Sequence, residues 1–221
     1  MKGLLFTLEG PEKAGKTTTL NLLKENLPKK YGITPVFLRE PGGTSIGDQI
    51  REVILHMKNQ EMDAGTELLL YAASRRQIVS EFVKPNLENG NIVIMDRYAD
   101  STRAYQGEGR GIDKEAIEFL INFATYGIVP DKTFLFDIDI EVALARANKD
   151  VEWNRMDAQA VDFYKKAMVR YHQLVQEESD RWCVIDASKS IDEVYRDVET
   201  KIVEKLENYG LIEGQRRSIE R

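Results

Sequence analysis

Short apolar runs separated by longer amphipathic stretches account for most of this chain. Runs at 3–9, 34–38, 91–96, 132–138 and 182–186 are nearly continuous in apolar residues, as strands covered on both faces are, and predict buried strands. Segments 16–28, 46–58, 64–88, 113–126, 140–148, 157–179 and 190–209 return to apolar residues every three or four positions and predict helices. Gly32, Gly90 and Pro130 punctuate the entrances to strands. Strand alternating with helix predicts an α/β fold, a parallel sheet with helices on both faces. No internal repeat or low-complexity linker breaks the pattern. Residues 1–221 are therefore read as one domain, with 210–221 a frayed, solvated tail carrying a basic cluster.

The first predicted strand runs into Gly10-Pro11-Glu12-Lys13-Ala14-Gly15-Lys16-Thr17, a complete GxxxxGK[ST] loop, and a helix follows it. Glycines let the backbone wrap closely around phosphate oxygens, and N–H groups at a helix start supply donors and a favourable dipole. Lys16 offers a charge to the outer phosphates of a nucleoside triphosphate, and Thr17 a hydroxyl to its Mg²⁺. Residues 10–18, ending at Thr18, are the expected ATP-binding set.

A net charge of -6 over 221 residues argues against a general nucleic-acid binder, which needs excess cations against phosphates. The single cysteine, Cys183, forms no intrachain disulfide. With only His56 and His172 beside it, no Cys/His cluster for zinc exists. No charged leader with an apolar core is apparent, and no apolar stretch reaches the ~18 residues a membrane span needs. The expectation is a cytoplasmic protein without membrane or nucleic-acid partners.

In parallel sheets ligands bind beyond the strand C-termini, so the residues following each strand carry the next information. Arg39-Glu40-Pro41-Gly42-Gly43-Thr44 follows the second strand, Asp96-Arg97-Tyr98 closes the third and Asp186-Ala187-Ser188-Lys189 the fifth. In the long third helix Tyr71 and Arg75 stand four apart on one face, so ring and guanidinium are expected to meet one planar ligand together.

The phosphate loop, REPGGT at 39–44, LLLYAASRR at 68–76, DRY at 96–98 and AYQG at 104–107 resemble, in order and spacing, the thymidylate kinase family. The likeness extends to about residue 205. It implies a P-loop NTPase fold with a five-stranded parallel sheet, a mobile lid at about 147–157, a homodimer, and transfer of phosphate from Mg·ATP to dTMP. It further implies that Tyr71 stacks on thymine where the family often has Phe, that Arg75 and Gln106 contact the base, and that Tyr105 packs beneath the deoxyribose. Arg51 and Arg97 are implied as the clamp on the monophosphate, Glu40 and Asp96 as carboxylates ordering arginines, sugar and magnesium water. Arg155 is implied as a second-tier phosphate or lid residue.

Each assignment competes with a plainer one: Arg75 and Arg76 as an exposed helix face, Tyr71 as core filling, Asp96 as an arginine partner, Arg146 and Arg155 as solvated lid charges. A kinase for another pyrimidine monophosphate or for a deoxynucleoside shares most of these features. A deoxynucleoside acceptor needs a base, for which Asp96 or Glu9 is placed; a monophosphate acceptor, already anionic, needs none. Catalysis then falls to Mg²⁺, Lys16, loop N–H groups and cations against the transferring group. The lid after Arg146 reads Ala147-Asn148-Lys149-Asp150 where one branch of the family carries arginines, while Lys13 resembles a basic residue that another branch places inside the loop. Lys13 is accordingly expected as the main cationic finger, with Lys149 its competitor.

Overall fold

The computed structural model describes residues 3–146 and 154–212. The expected lid interior, with Asn148, Lys149 and Asp150, and the tail from 213 onward lie outside the described residues. Five parallel strands form one sheet in the order β2-β3-β1-β4-β5: β1 (Leu4–Glu9), β2 (Val36–Arg39), β3 (Ile92–Asp96), β4 (Lys132–Asp137) and β5 (Trp182–Asp186). All five stand where the apolar runs predict them.

β1 is central, and all six of its residues are buried. Leu4, Phe6 and Leu8 point into a layer with Leu23 and Leu27 of α1 (Lys16–Tyr31) and Val198 and Ile202 of α9 (Ile191–Asn208). Leu5 faces the opposite layer, packed among Leu68 of α3 (Ala64–Ile78), Val83, Met95 and Ile117 of α6 (Lys114–Thr125). Tyr171 and Leu174 of α8 (Val161–Glu177) cover β4 and β5 beside them, with Leu135 and Trp182. Two-sided cover explains why the strands read as unbroken apolar runs.

The helices depart from expectation where local chemistry outweighs periodicity. α2 (Ser45–Leu55) stops three residues early and yields to a 3₁₀ turn at Met57–Asn59. The expected helix 64–88 is continuous, but it passes from α3 through a π turn at Val79–Val83 into α4 (Lys84–Glu88). Pro85 has no N–H, and its ring crowds the carbonyl four residues back, so the ladder widens just before it. α7 (Ile140–Ala145) follows β4, and α8 begins at Val161 rather than at 157. One helix was not expected: α5 (Ala99–Thr102) continues into a π-helical stretch Arg103–Gly109. Its small and polar residues carry no apolar helical period, yet it carries Tyr105 and Gln106.

β1 lies between β3 and β4, so the loop leaving it opens over the middle of the sheet's C-terminal edge. Gly10 takes φ +125°, and a Cβ there would stand 2.6 Å from the Phe136 carbonyl oxygen, which makes glycine obligatory.

Candidate active site

The loop at 10–17 curls over the start of α1, and Lys16 Nζ donates to the carbonyls of Gly10 (3.0 Å) and Pro11 (2.6 Å). Burial, then the charge of Arg97, lowers the Lys16 ammonium to about 8, with Glu12 and Asp96 pulling the other way. The Thr17 hydroxyl donates to Asp96 Oδ2 at 3.4 Å, across from the end of β3. A cleft of about 580 Å³ opens in front, within the range of small-molecule sites. Glu12, Lys13, Lys16, Thr17 and Thr18 line it, and Arg51, Tyr71, Arg97, Tyr105 and Gln106 are also in its wall.

Residues from the ends of β3 and β1 and from α2 build the rest of the site. Arg97 follows β3 with φ +67° and donates to Glu12 Oε1 (2.8 Å) and Ser101 Oγ (3.2 Å), and its guanidinium stands 5.2 Å from the Tyr105 ring centre. Burial raises the Glu12 carboxyl, but the charges of Arg97 and Lys16 outweigh this and bring it to about 2. Arg51 of α2 donates to the Pro41 carbonyl at 2.8 Å, which fixes it beside the turn after β2. Glu9, wholly buried at the end of β1, accepts from Tyr98 N (2.8 Å), Ser101 Oγ (2.6 Å) and Tyr171 Oη (2.8 Å). Burial and the neighbouring Asp100 raise its carboxyl above the ordinary range. A phosphate-binding loop and a second constellation of cations, aromatics and an amide thus share one cleft.

A family model described as thymidylate kinase matches residues 8–198, from the end of β1 into α9. The chain belongs to the thymidylate kinase family. It is an ATP-dependent nucleoside monophosphate kinase that phosphorylates dTMP, a step toward dTTP, with a divalent metal accompanying ATP. Thr17 Oγ1 and Asp96 Oδ2 are adjacent hard oxygens at the mouth of the phosphate loop. They fit a cation that takes one or two protein oxygens and completes its shell with phosphates and water.

Two arginines expected to meet ligand are withdrawn from the kinase's cleft. Arg75 is 2% exposed and does not line it; Nε donates to Glu40 Oε2 (2.8 Å), Nη1 to Thr102 Oγ1 (2.8 Å) and Nη2 to the Tyr98 carbonyl (2.9 Å). Tyr71 lines the cleft, while Arg75 stands behind that wall. Arg155, expected at the phosphates or the lid, is also 2% exposed: Nε donates to the Ile54 carbonyl (2.6 Å) and Nη2 to Glu67 Oε2 (2.6 Å). Each guanidinium, once buried, is matched by a carboxylate buried with it, Glu40 for Arg75 and Glu67 for Arg155, which offsets its loss of water. In the loop, Gly10, Pro11 and Ala14 lie behind the lining; Gly10 and Pro11 serve Lys16 through their carbonyls, and Ala14 packs in the core. Glu12, expected on the ATP side, is engaged by Arg97.

The cleft also brings in residues that carry no motif in the sequence. Asn154, Met156, Asp157 and Tyr164 enter the cleft wall, and Glu67 accepts from Gln106, Arg110 and Arg155. Glu67 precedes Tyr71 by the same four residues that separate Tyr71 from Arg75, so its face of α3 was legible.

The lowered Lys16 ammonium yields a test. Bound phosphates favour its charged form, so ATP binding near pH 8 takes up protons, and affinity declines as pH rises past about 8. Calorimetry in buffers of different ionisation heat measures this directly. Net proton release would contradict the assignment.

Proposed function

We propose that both substrates occupy the one cleft, ATP against the loop and dTMP against the residues between Tyr71 and Gln106. The observation that carries this is the shared wall: loop residues and the acceptor set line a single opening. On this reading Lys16 and the loop N–H groups hold the outer phosphates of ATP, and Arg51 and Arg97 clamp the acceptor's phosphate with planar forks. Tyr71 stacks on the thymine, Gln106 reads its imide edge, and Tyr105 sits beneath the deoxyribose and crowds a ribose 2′-OH. Glu40 acts through Arg75, which becomes a positioning residue.

Mg²⁺ is the proposed metal; Thr17 and Asp96 would hold it, and it would supply neutralisation of phosphate charge. An acceptor phosphate oxygen bonds to the terminal phosphorus while the bond from that phosphorus to the bridging oxygen breaks, and ADP leaves. No side chain needs to remove a proton, because the acceptor is mostly dianionic at neutral pH.

With Mg·ATP, kcat/KM for dTMP is expected to exceed that for UMP by a factor on the order of 10² or more, from the 2′-OH clash and the lost methyl contact. Thymidine, lacking the phosphate that the arginines hold, is expected not to turn over. A coupled ADP-release assay with the three acceptors in parallel decides it. Equal rates with UMP and dTMP, or a preference for thymidine, would overturn the acceptor assignment.

Lys13 lines the cleft from the loop and is the proposed cationic finger on the transferring phosphoryl group. Lys13→Met is expected to lower kcat on the order of 10²-fold with both Michaelis constants nearly unchanged, and to be far slower than Lys149→Met. The reverse ranking at saturating substrates moves the finger to the lid.

We further propose that the kinase works as a homodimer in the cytoplasm. Support for the dimer comes from a stripe that α3 and α6 leave uncovered: Leu69 (58% exposed), Phe119 (70%) and Phe123 (58%), with Arg76 stacked 3.3 Å over the Tyr126 ring centre. The single cysteine, and the lack among the described residues of any helix long and apolar enough to cross a membrane, fit the location. Light scattering is expected to give twice the chain mass, and Phe119→Glu with Phe123→Glu to give a folded monomer. A monomeric parent protein would dismiss this interface.

A further inference from the structure

Glu67 lies in the first turn of α3, wholly buried, and both its oxygens are occupied. Oε1 accepts from Gln106 Nε2 at 2.8 Å and Arg110 Nε at 3.1 Å; Oε2 accepts from Arg110 Nη2 at 2.9 Å and Arg155 Nη2 at 2.6 Å. Four donors meet the roughly four lone-pair sites of an ionised carboxylate, so the group has no freedom to turn. Burial works to raise this carboxyl, but hydrogen bonds from Arg110 and Gln106 outweigh it and hold the group below the usual range. It therefore stays an acceptor through neutral pH.

An amide side chain can present oxygen or nitrogen on either side, and only its neighbours decide which. Gln106 is buried yet reaches the cleft wall. A saturated carboxylate behind it accepts and cannot donate, so the NH₂ end must face Glu67 and the carbonyl oxygen is left, with one N–H, for the ligand. A thymine-type imide offers an N–H flanked by carbonyls and matches that pair. A cytosine-type ring offers a lone pair at the same place and opposes the oxygen.

We propose that Glu67 is a positioning residue that locks the Gln106 amide with its oxygen toward the acceptor base, and thereby makes the enzyme select an imide over a cytosine-type ring. The inference deepens the dTMP reading and rests on it. Arg155 and Arg110, gathered on the same carboxylate, keep Glu67 ionised without touching the base.

The test is the ratio of kcat/KM for dTMP to that for dCMP, taken on one preparation so that any loss of folded protein cancels. In Glu67→Gln the partner can donate as well as accept, the Gln106 amide is free to turn over, and the ratio is expected to fall at least about tenfold with KM for ATP unchanged. Glu67→Asp, which keeps an acceptor, is expected to retain more of the ratio than Glu67→Gln. An unchanged ratio in Glu67→Gln overturns the proposal.

Gln106→Glu gives a second readout that does not need Glu67 altered. A carboxyl at 106 must carry a proton to donate to Glu67, with Arg110 and Arg155 as the other charged groups gathered there. Its dTMP activity relative to the parent enzyme is expected to fall as pH rises from about 6 to about 8. A pH profile parallel to the parent's would equally refute the proposal. A parent enzyme without preference for dTMP over dCMP would instead fault the acceptor reading itself, so the two failures are separable.

Discussion

Arg75, Arg155 and Arg181 lie inside this protein, and a guanidinium taken out of water is tolerable only against a carboxylate that is buried with it. Each has one: Glu40 for Arg75, Glu67 for Arg155, Asp100 for Arg181. The partners come from different elements. Arg75 ties α3 to the turn after β2, Arg155 ties the segment at 154–159 to α3 and α2, and Arg181 ties the approach to β5 to α5. Removing Glu40 leaves Arg75 buried without a carboxylate, whereas Glu67 and Asp100 each hold a second arginine, Arg110 and Arg103, so the cleft's wall is held by bonds that are partly shared. Hydrophobic layers place the strands, but these pairs decide how the loops stand at the strand ends.

The same logic governs the cleft. Arg51, Arg97, Lys13 and Lys16 are gathered where two polyanions are to meet, and without them these cations repel one another. The lowered Lys16 ammonium records that repulsion together with burial. Glu12 relieves part of it by taking Arg97, and Glu9 behind fixes the backbone at Tyr98 and Ser101 that presents the arginine. A site built for negative ligands thus carries its own provisional anions.

How much of this could be read in advance follows from the range over which each signal acts. The strands were legible because cover on both faces writes itself as a continuous apolar run, and the loop because its function needs glycines at fixed local spacing. The stretch 99–109 was not, since a helix whose apolar residues are Ala99, Ala104 and Tyr105 among polar ones and glycines carries no apolar rhythm, and it is held by distant partners such as Glu118 on Arg103 and Glu67 on Gln106. The fates of Arg75 and Arg155 were hidden for the same reason. Glu40 is 35 residues from Arg75 and Glu67 is 88 from Arg155, and nothing local separates an arginine that meets a ligand from one that a remote carboxylate has claimed.

Lys13 and Arg97, two cations of the cleft wall, both stand on left-handed backbone, with φ of 61° and 67°. For residues with a Cβ that conformation costs on the order of 1 kcal/mol each, and glycine or asparagine would relieve it. A campaign to make this protein more heat-resistant by relaxing strained positions would rank these two near the top of its list. It would succeed by its own measure, returning a hardier fold from whose cleft two positive charges had been erased.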